Sequence, residues 1–423
     1  MMAYHQDTCA TVYSCHTVRR SASDRANRSR TSASGQGRLP RNAGRVHMST
    51  ERWGARGTLY RESVVIDGLN VSNWDSEAVF RDLAAGTVTA INATCATWEG
   101  FAATVDAIAR WRRRLRERSD TIRPALSAED IRRAKREGRT GIILGFQNAS
   151  PIENDLDRLE VFAALGVRVI QLTFHERNLL GNGCYERHDD GVSNFGRDAI
   201  AEMNRLGIVI DLSHVGDRTT LETIEASAAP VAITHANCRE YHRIPRNKTD
   251  QAIRAVAAKG GVIGATCYTK FLRTGEHSTV EDYVDAIDDL VERVGVDHVA
   301  FGTDFTQNQP PEFWRYIGAQ QGTKYPSTFD DGSRDWSQVQ LTPEGLSSPA
   351  QLPNLAAALS GRGYSDDDTR KVLGATGSGC SSKCGSEEVH ATRCANVAAR
   401  VEGYASTSDG QIGSRCQASS PST

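Results

Sequence analysis

The chain has 423 residues, enough for one large domain or two ordinary ones, and sets 50 Lys+Arg against 52 Asp+Glu. So even a balance leaves no long-range field to gather nucleic acid or an anionic membrane surface, and it points to a small-molecule partner. No apolar run reaches the roughly 18–20 residues that a membrane span needs, and no basic start leads into an apolar stretch. A cytoplasmic location is therefore the expectation.

Residues 1–47 are rich in Arg and Ser, hold only Asp7 and Asp24 as acids, and have no lysine and no apolar periodicity. Such a segment cannot bury enough surface to fold and is expected to be disordered. Met48-Ser-Thr-Glu reads as a more natural start.

From 48 to 375 the pattern is regular. Eight apolar runs of strand length recur: Val64–Asn70, Ala90–Thr94, Gly141–Asn148, Val167–Phe174, Gly207–His214, Val231–Asn237, Gly261–Cys267 and His298–Asp304. Most are continuous rather than alternating in polarity, which means burial on both faces. Between them lie segments with helical spacing, such as Ala199–Leu206, and starts such as Ser127-Ala-Glu-Asp130 and Ser365-Asp-Asp-Asp368. There a hydroxyl can cap the helix while acids meet its positive end. Strand and helix alternating around eight strands predict a (β/α)8 TIM barrel. An open doubly wound sheet would instead carry a Gly-rich phosphate turn after an early strand, and Asp67-Gly68-Leu69-Asn70 is not one. The segment from Phe305 to about Leu352 is long enough to cover the barrel mouth or to serve as a dimer contact.

Residues 376–423 have neither strand nor helix periodicity and read as a low-order tail. Codons compatible with Gly374–Gly385, read in the neighbouring frame, can spell a closing helix, so an out-of-frame tail is the sharper reading. The nucleotide sequence decides it. Only Cys95, Cys184, Cys238 and Cys267 of the ten cysteines fall in the patterned body, so no disulfide framework is expected.

Active sites of such barrels gather at the carboxyl ends of the strands. Strand 5 ends in Ile210-Asp-Leu-Ser-His214, strand 6 reaches Ala232-Ile-Thr-His235 and strand 8 ends in Phe301-Gly-Thr-Asp304. Two imidazoles and a carboxylate thus converge on one mouth, and these are ligands that zinc takes while keeping an open position for water.

Together with Gly166-Val-Arg-Val-Ile-Gln-Leu-Thr173, Pro245-Arg-Asn-Lys-Thr-Asp250 and Lys259-Gly-Gly-Val-Ile-Gly, these motifs resemble the membrane (renal) dipeptidases in order and spacing over residues 63–374. The resemblance implies a barrel with a two-zinc site that hydrolyses dipeptides. Carried over by position, it implies that His214 and His235 bind one zinc and that Asp304 is a ligand and proton shuttle. It implies that Arg246, beside Asn247, holds the substrate carboxylate. The chain departs from the family where strand 1 has Leu69-Asn70-Val71 for His-x-Asp and strand 3 has Gln147 for a bridging glutamate. The substrate histidine after strand 4 falls on Phe174, with His175 next to it as a replacement.

Leucine and valine cannot ligate, and a carboxamide brings no charge to offset two dications. One zinc ion held by His214, His235 and, weakly, Gln147 is therefore expected rather than two, with Asp304 as general base. The substrate would be a dipeptide or a similar small amide with a free carboxylate, and a homodimer is a compatible assembly. The alternative is a metal-depleted, non-hydrolytic homologue that binds a peptide-like carboxylate ligand.

Overall fold

Eight parallel strands form the barrel: β1 (Ile66–Asn70), β2 (Ala90–Ala96), β3 (Thr140–Phe146), β4 (Val167–Gln171), β5 (Val209–Asp211), β6 (Ala232–Ile233), β7 (Val262–Ala265) and β8 (Val299–Phe301). They pair in chain order, β1 to β8, as seen in a computed structural model that describes residues 54–320, 325–327 and 339–374. The expected disordered start and low-order tail lie outside the described residues. A short strand not anticipated from the sequence, Ile122–Pro124, adds to the flank of β3.

All eight expected runs become strands, but most stop short of the predicted carboxyl end. The run Val231–Asn237, for example, contains only Ala232–Ile233 as strand. Past the last ladder position, side chains take over the bonding. Asp211 accepts from Ser213 N (3.0 Å), Ser213 Oγ (2.6 Å), Thr234 N (3.0 Å) and Thr234 Oγ1 (2.7 Å), tying the end of β5 to that of β6.

Asp67 plays the same part at the seam where β8 meets β1. It accepts from Thr303 N (2.7 Å), Thr303 Oγ1 (2.6 Å), Asn70 Nδ2 (3.2 Å) and Leu69 N (3.3 Å). Backbone pairing at this seam is sparse: Val71 N donates to Phe305 O (2.8 Å) and Asp304 N to Leu69 O (3.1 Å). Asp67 thus supplies with its side chain the pairing that the backbone of this seam lacks.

Helices alternate with the strands and cover the sheet. Ser127 and Thr279 each form a capping box with the acid three residues on, as expected for Ser127, and Ser365 caps Asp366–Leu373. Helix Val280–Val294 shows why these segments are helical: Val280, Tyr283, Val284, Ile287 and Leu290 recur at helical spacing and are the residues it buries. All seven residues of β3 are buried, as a strand covered on both faces must be.

The barrel axis is crowded near the end of β6. A Cβ at Gly302 would lie 2.0 Å from Thr234 O, and one at Gly264 2.1 Å from the same atom. Only glycine fits at either place. No helix among the described residues is long and apolar enough to cross a membrane.

Candidate active site

The carboxyl ends of the strands surround a cavity of about 210 Å³. Gln147 after β3, His175 after β4, His214 after β5, Lys270 after β7 and Asp304 after β8 all line it. The long segment after β8 contributes a helix, Pro311–Gly318, whose Phe313, Trp314 and Ile317 form part of the wall. Part of the predicted cover is thus described, while 321–324 and 328–338 lie outside the described residues.

His214 lines this cavity and meets His235, which is fully buried and does not line it, with Nε2 facing Nε2 at 2.9 Å. Phe174, standing where the resemblance puts a substrate histidine, instead stacks on His214 at 4.2 Å between ring centroids and 24° between planes. His175 sits 4.8 Å from His214 and meets Tyr185 edge-on. Burial, with the nearby Arg246 charge adding to it, pushes the pKa of all three histidines well below the usual imidazole range. They are neutral at pH 7, so their ring nitrogens can serve as ligands.

Asp304 adopts a left-handed backbone (φ 57°), uncommon for a residue with a side chain and typical of constrained positions. Burial lifts its carboxyl to about 6 even though Arg246 pulls the other way. That value suits a group that must both take and return a proton near neutrality.

Arg246 is fully buried and does not line the cavity. Its terminal nitrogens donate to Ser213 O and to His235 O, each at 2.7 Å, and its Nε has no partner. In this conformation the guanidinium fork binds the loops that carry the two histidines rather than presenting itself to a ligand. Asn247 is likewise committed inside its own loop, where its amide donates to His242 O (2.9 Å) and Phe271 O (3.3 Å). Among the described residues, the cation that does line the cavity is Lys270. Strand-end reasoning passed over it, and over Tyr185 and Trp314, because all three come from loops or the covering helix rather than from strand termini.

Among the described residues, no three His, Cys, Asp or Glu side chains converge as a metal-binding group. Leu69 is buried and Val71 faces the cavity where strand-1 ligands would stand. The donor set does not fit two ions. One ion is the more compatible count: two nitrogens bound to a tetrahedral zinc at roughly 2.1 Å each stand roughly 3.4 Å apart, so the His214–His235 pair, 2.9 Å apart, has to open slightly to hold it. Gln147 anchors its Nε2 on Thr94 Oγ1 (3.1 Å), which leaves its amide oxygen as the third available donor.

Comparison with known proteins agrees with this architecture. A crystal structure of an amidohydrolase from Pseudomonas aeruginosa is similar with a TM-score of 0.72 and 40% identity, over 75% of this chain and 95% of that one. The probable dipeptidase PvdM from the same species shares the fold at a TM-score of 0.64 and 19% identity, over 77% of this chain and 96% of that one. Among curated relatives, dipeptidase tcpJ of Claviceps purpurea is 29% identical over 60% of this chain and 54% of its own length. Dipeptidase verJ of Clonostachys rogersoniana is 28% identical over 66% and 64%. The chain thus spans between half and two thirds of the length of these two curated relatives. Residues 59–319, more than half of the chain, match membrane dipeptidase, peptidase family M19, and the chain belongs to that family.

Proposed function

We propose that this chain is a dipeptidase-like metallohydrolase that cleaves the amide bond of a dipeptide, or of a similar small amide bearing a free carboxylate. The observation that carries the reading is the pair of neutral imidazoles facing each other at 2.9 Å, of which His214 lines the cavity that Asp304 also lines. His214, His235 and Gln147 would hold one ion, zinc by the preference of its ligands. When bound, such an ion supplies polarisation of the carbonyl and a lowered pKa for water.

The rest falls to the chain's own residues. Asp304, ionised above about pH 6, takes the proton of the attacking water as oxygen bonds to the carbonyl carbon. It returns that proton to the amide nitrogen as the C–N bond breaks, releasing an amine and a carboxylic acid. The substrate's carboxylate is placed on the cationic side of the cavity, with Lys270 on the wall and Arg246 acting through its charge from behind it. Phe313 and Trp314 exclude water from above.

The test is hydrolysis of a panel of L,L and L,D dipeptides by the full chain supplied with zinc. Turnover that His235→Ala abolishes supports the proposal, and no turnover of any member overturns it. The comparisons do not favour the non-hydrolytic alternative.

A further inference from the structure

The hydrogen bonds around His235 fix more than its position. Its Nδ1 lies 2.8 Å from Thr234 Oγ1, and that hydroxyl lies 2.7 Å from Asp211 Oδ2. Ser213 Oγ stands 2.6 Å from the other carboxylate oxygen, Asp211 Oδ1, and 3.1 Å from Thr234 Oγ1. Each hydroxyl has one proton to give, and a carboxylate can only accept. The two shortest contacts therefore commit both protons to Asp211. Thr234 Oγ1 is left with lone pairs alone toward His235, so the bond between them requires the proton on His235 Nδ1. Its Nε2 is then bare.

We infer that Thr234, backed by Asp211, is a positioning residue that locks His235 in the Nδ1–H tautomer and presents an unprotonated Nε2 to the facing nitrogen of His214. His214 has no such device: its Nδ1 is buried without a partner. In the metal-free protein the 2.9 Å contact is accordingly an Nε2–H of His214 donating to the lone pair of His235. The two imidazoles are unequal. His235 is ready to ligate as it stands, whereas His214 must first move its proton from Nε2 to Nδ1. Ligating histidines generally donate their other ring N–H to an oxygen acceptor, and loss of that acceptor costs tenfold to a hundredfold in metal affinity.

This inference rests on the proposed ion-binding role for its consequence, but the tautomer itself is tested without any metal. Long-range nitrogen–proton correlation spectra of the full, metal-free chain labelled at histidine nitrogens report which nitrogen bears the proton, with His235→Gln assigning the signal. The expected result is Nδ1–H for His235 in the parent protein, a shift toward Nε2–H in Thr234→Val, and restoration in Thr234→Ser, which keeps the hydroxyl. Zinc affinity, read by competition with a chromogenic chelator, should fall roughly ten- to a hundredfold in Thr234→Val and recover in Thr234→Ser. An Nε2–H signal in the parent, or a Thr234→Val protein with an unchanged tautomer, overturns the inference. The expected tautomer pattern in a protein that binds no zinc upholds the relay and removes the functional reading instead.

Discussion

Asp67 offers a test of how the barrel seam is held. Its carboxylate receives four hydrogen bonds, which favour the charged form, yet it is wholly enclosed, and burial outweighs the donors and pushes its pKa up to about 7. A carboxyl whose folded pKa lies above its unfolded value near 3.8 holds its proton more tightly in the folded chain. Its stabilising contribution is therefore complete below about pH 4 and is lost as pH rises toward 7. The full slope is about 1.4 kcal/mol per pH unit and eases as the folded group titrates, so roughly 2 kcal/mol disappears between pH 5 and pH 7 and the contribution becomes flat above about pH 8. The side chain is fully enclosed, so no discount for solvent screening applies. The assay is chemical denaturation of the parent and Asp67→Asn at pH 5, 6, 7 and 8. Taking the difference cancels the titration of Asp304 and the buried histidines, which both proteins share. The stability of the parent relative to the variant should fall by about 2 kcal/mol from pH 5 to pH 7 and level off by about pH 8. A difference that stays constant would refute the reasoning, and one that grows with pH would show that the four hydrogen bonds win over burial.

Three further outcomes follow from the site. Asp304→Asn should lower kcat about 10²–10⁴-fold. In the parent, kcat/KM should fall as pH drops below about 6, where Asp304 gains its proton, and a profile flat down to pH 5 would exclude it as the base. Lys270→Met should raise KM for a free-acid dipeptide about tenfold, the scale of a partly screened ion pair, and leave the corresponding C-terminal amide unaffected. Equal effects on both substrates would show that Lys270 does not read the carboxylate. Gln147→Glu places a charged oxygen on the wall of the cavity that His214 lines and should tighten zinc binding at least tenfold in the chelator competition, with no change arguing against Gln147 as a donor.

The fold was largely legible because the barrel strands are buried on both faces and so are written as continuous apolar runs, β3 most plainly. Strand ends were less legible. Asp211 and Asp67 replace backbone pairing with side-chain bonds at the points where the apolar pattern continues, so the pattern alone places the ends too far on. A strand-ending Asp followed two residues later by Ser, as in Asp211-Leu-Ser213, is the signal that marks such an end. The short strand Ile122–Pro124 was missed because its Ile-Arg-Pro sequence contains no continuous apolar run. Of the site, the strand-end residues His214, Gln147 and Asp304 were found, since topology alone brings them to one mouth. The setting of Arg246 was not, because whether a guanidinium faces a ligand or two backbone carbonyls depends on how its loop folds back. Lys270 and the aromatic wall come from loops whose path no periodicity records.

The central claim is that the two imidazoles hold one divalent ion where strand 1 offers only Leu69 and Val71. Elemental analysis of the full chain, saturated with zinc and then freed of excess by gel filtration, tests it most directly. One zinc per chain is expected in the parent and none in His214→Ala or His235→Ala. Zero or two ions in the parent, or one that survives loss of either histidine, would contradict it.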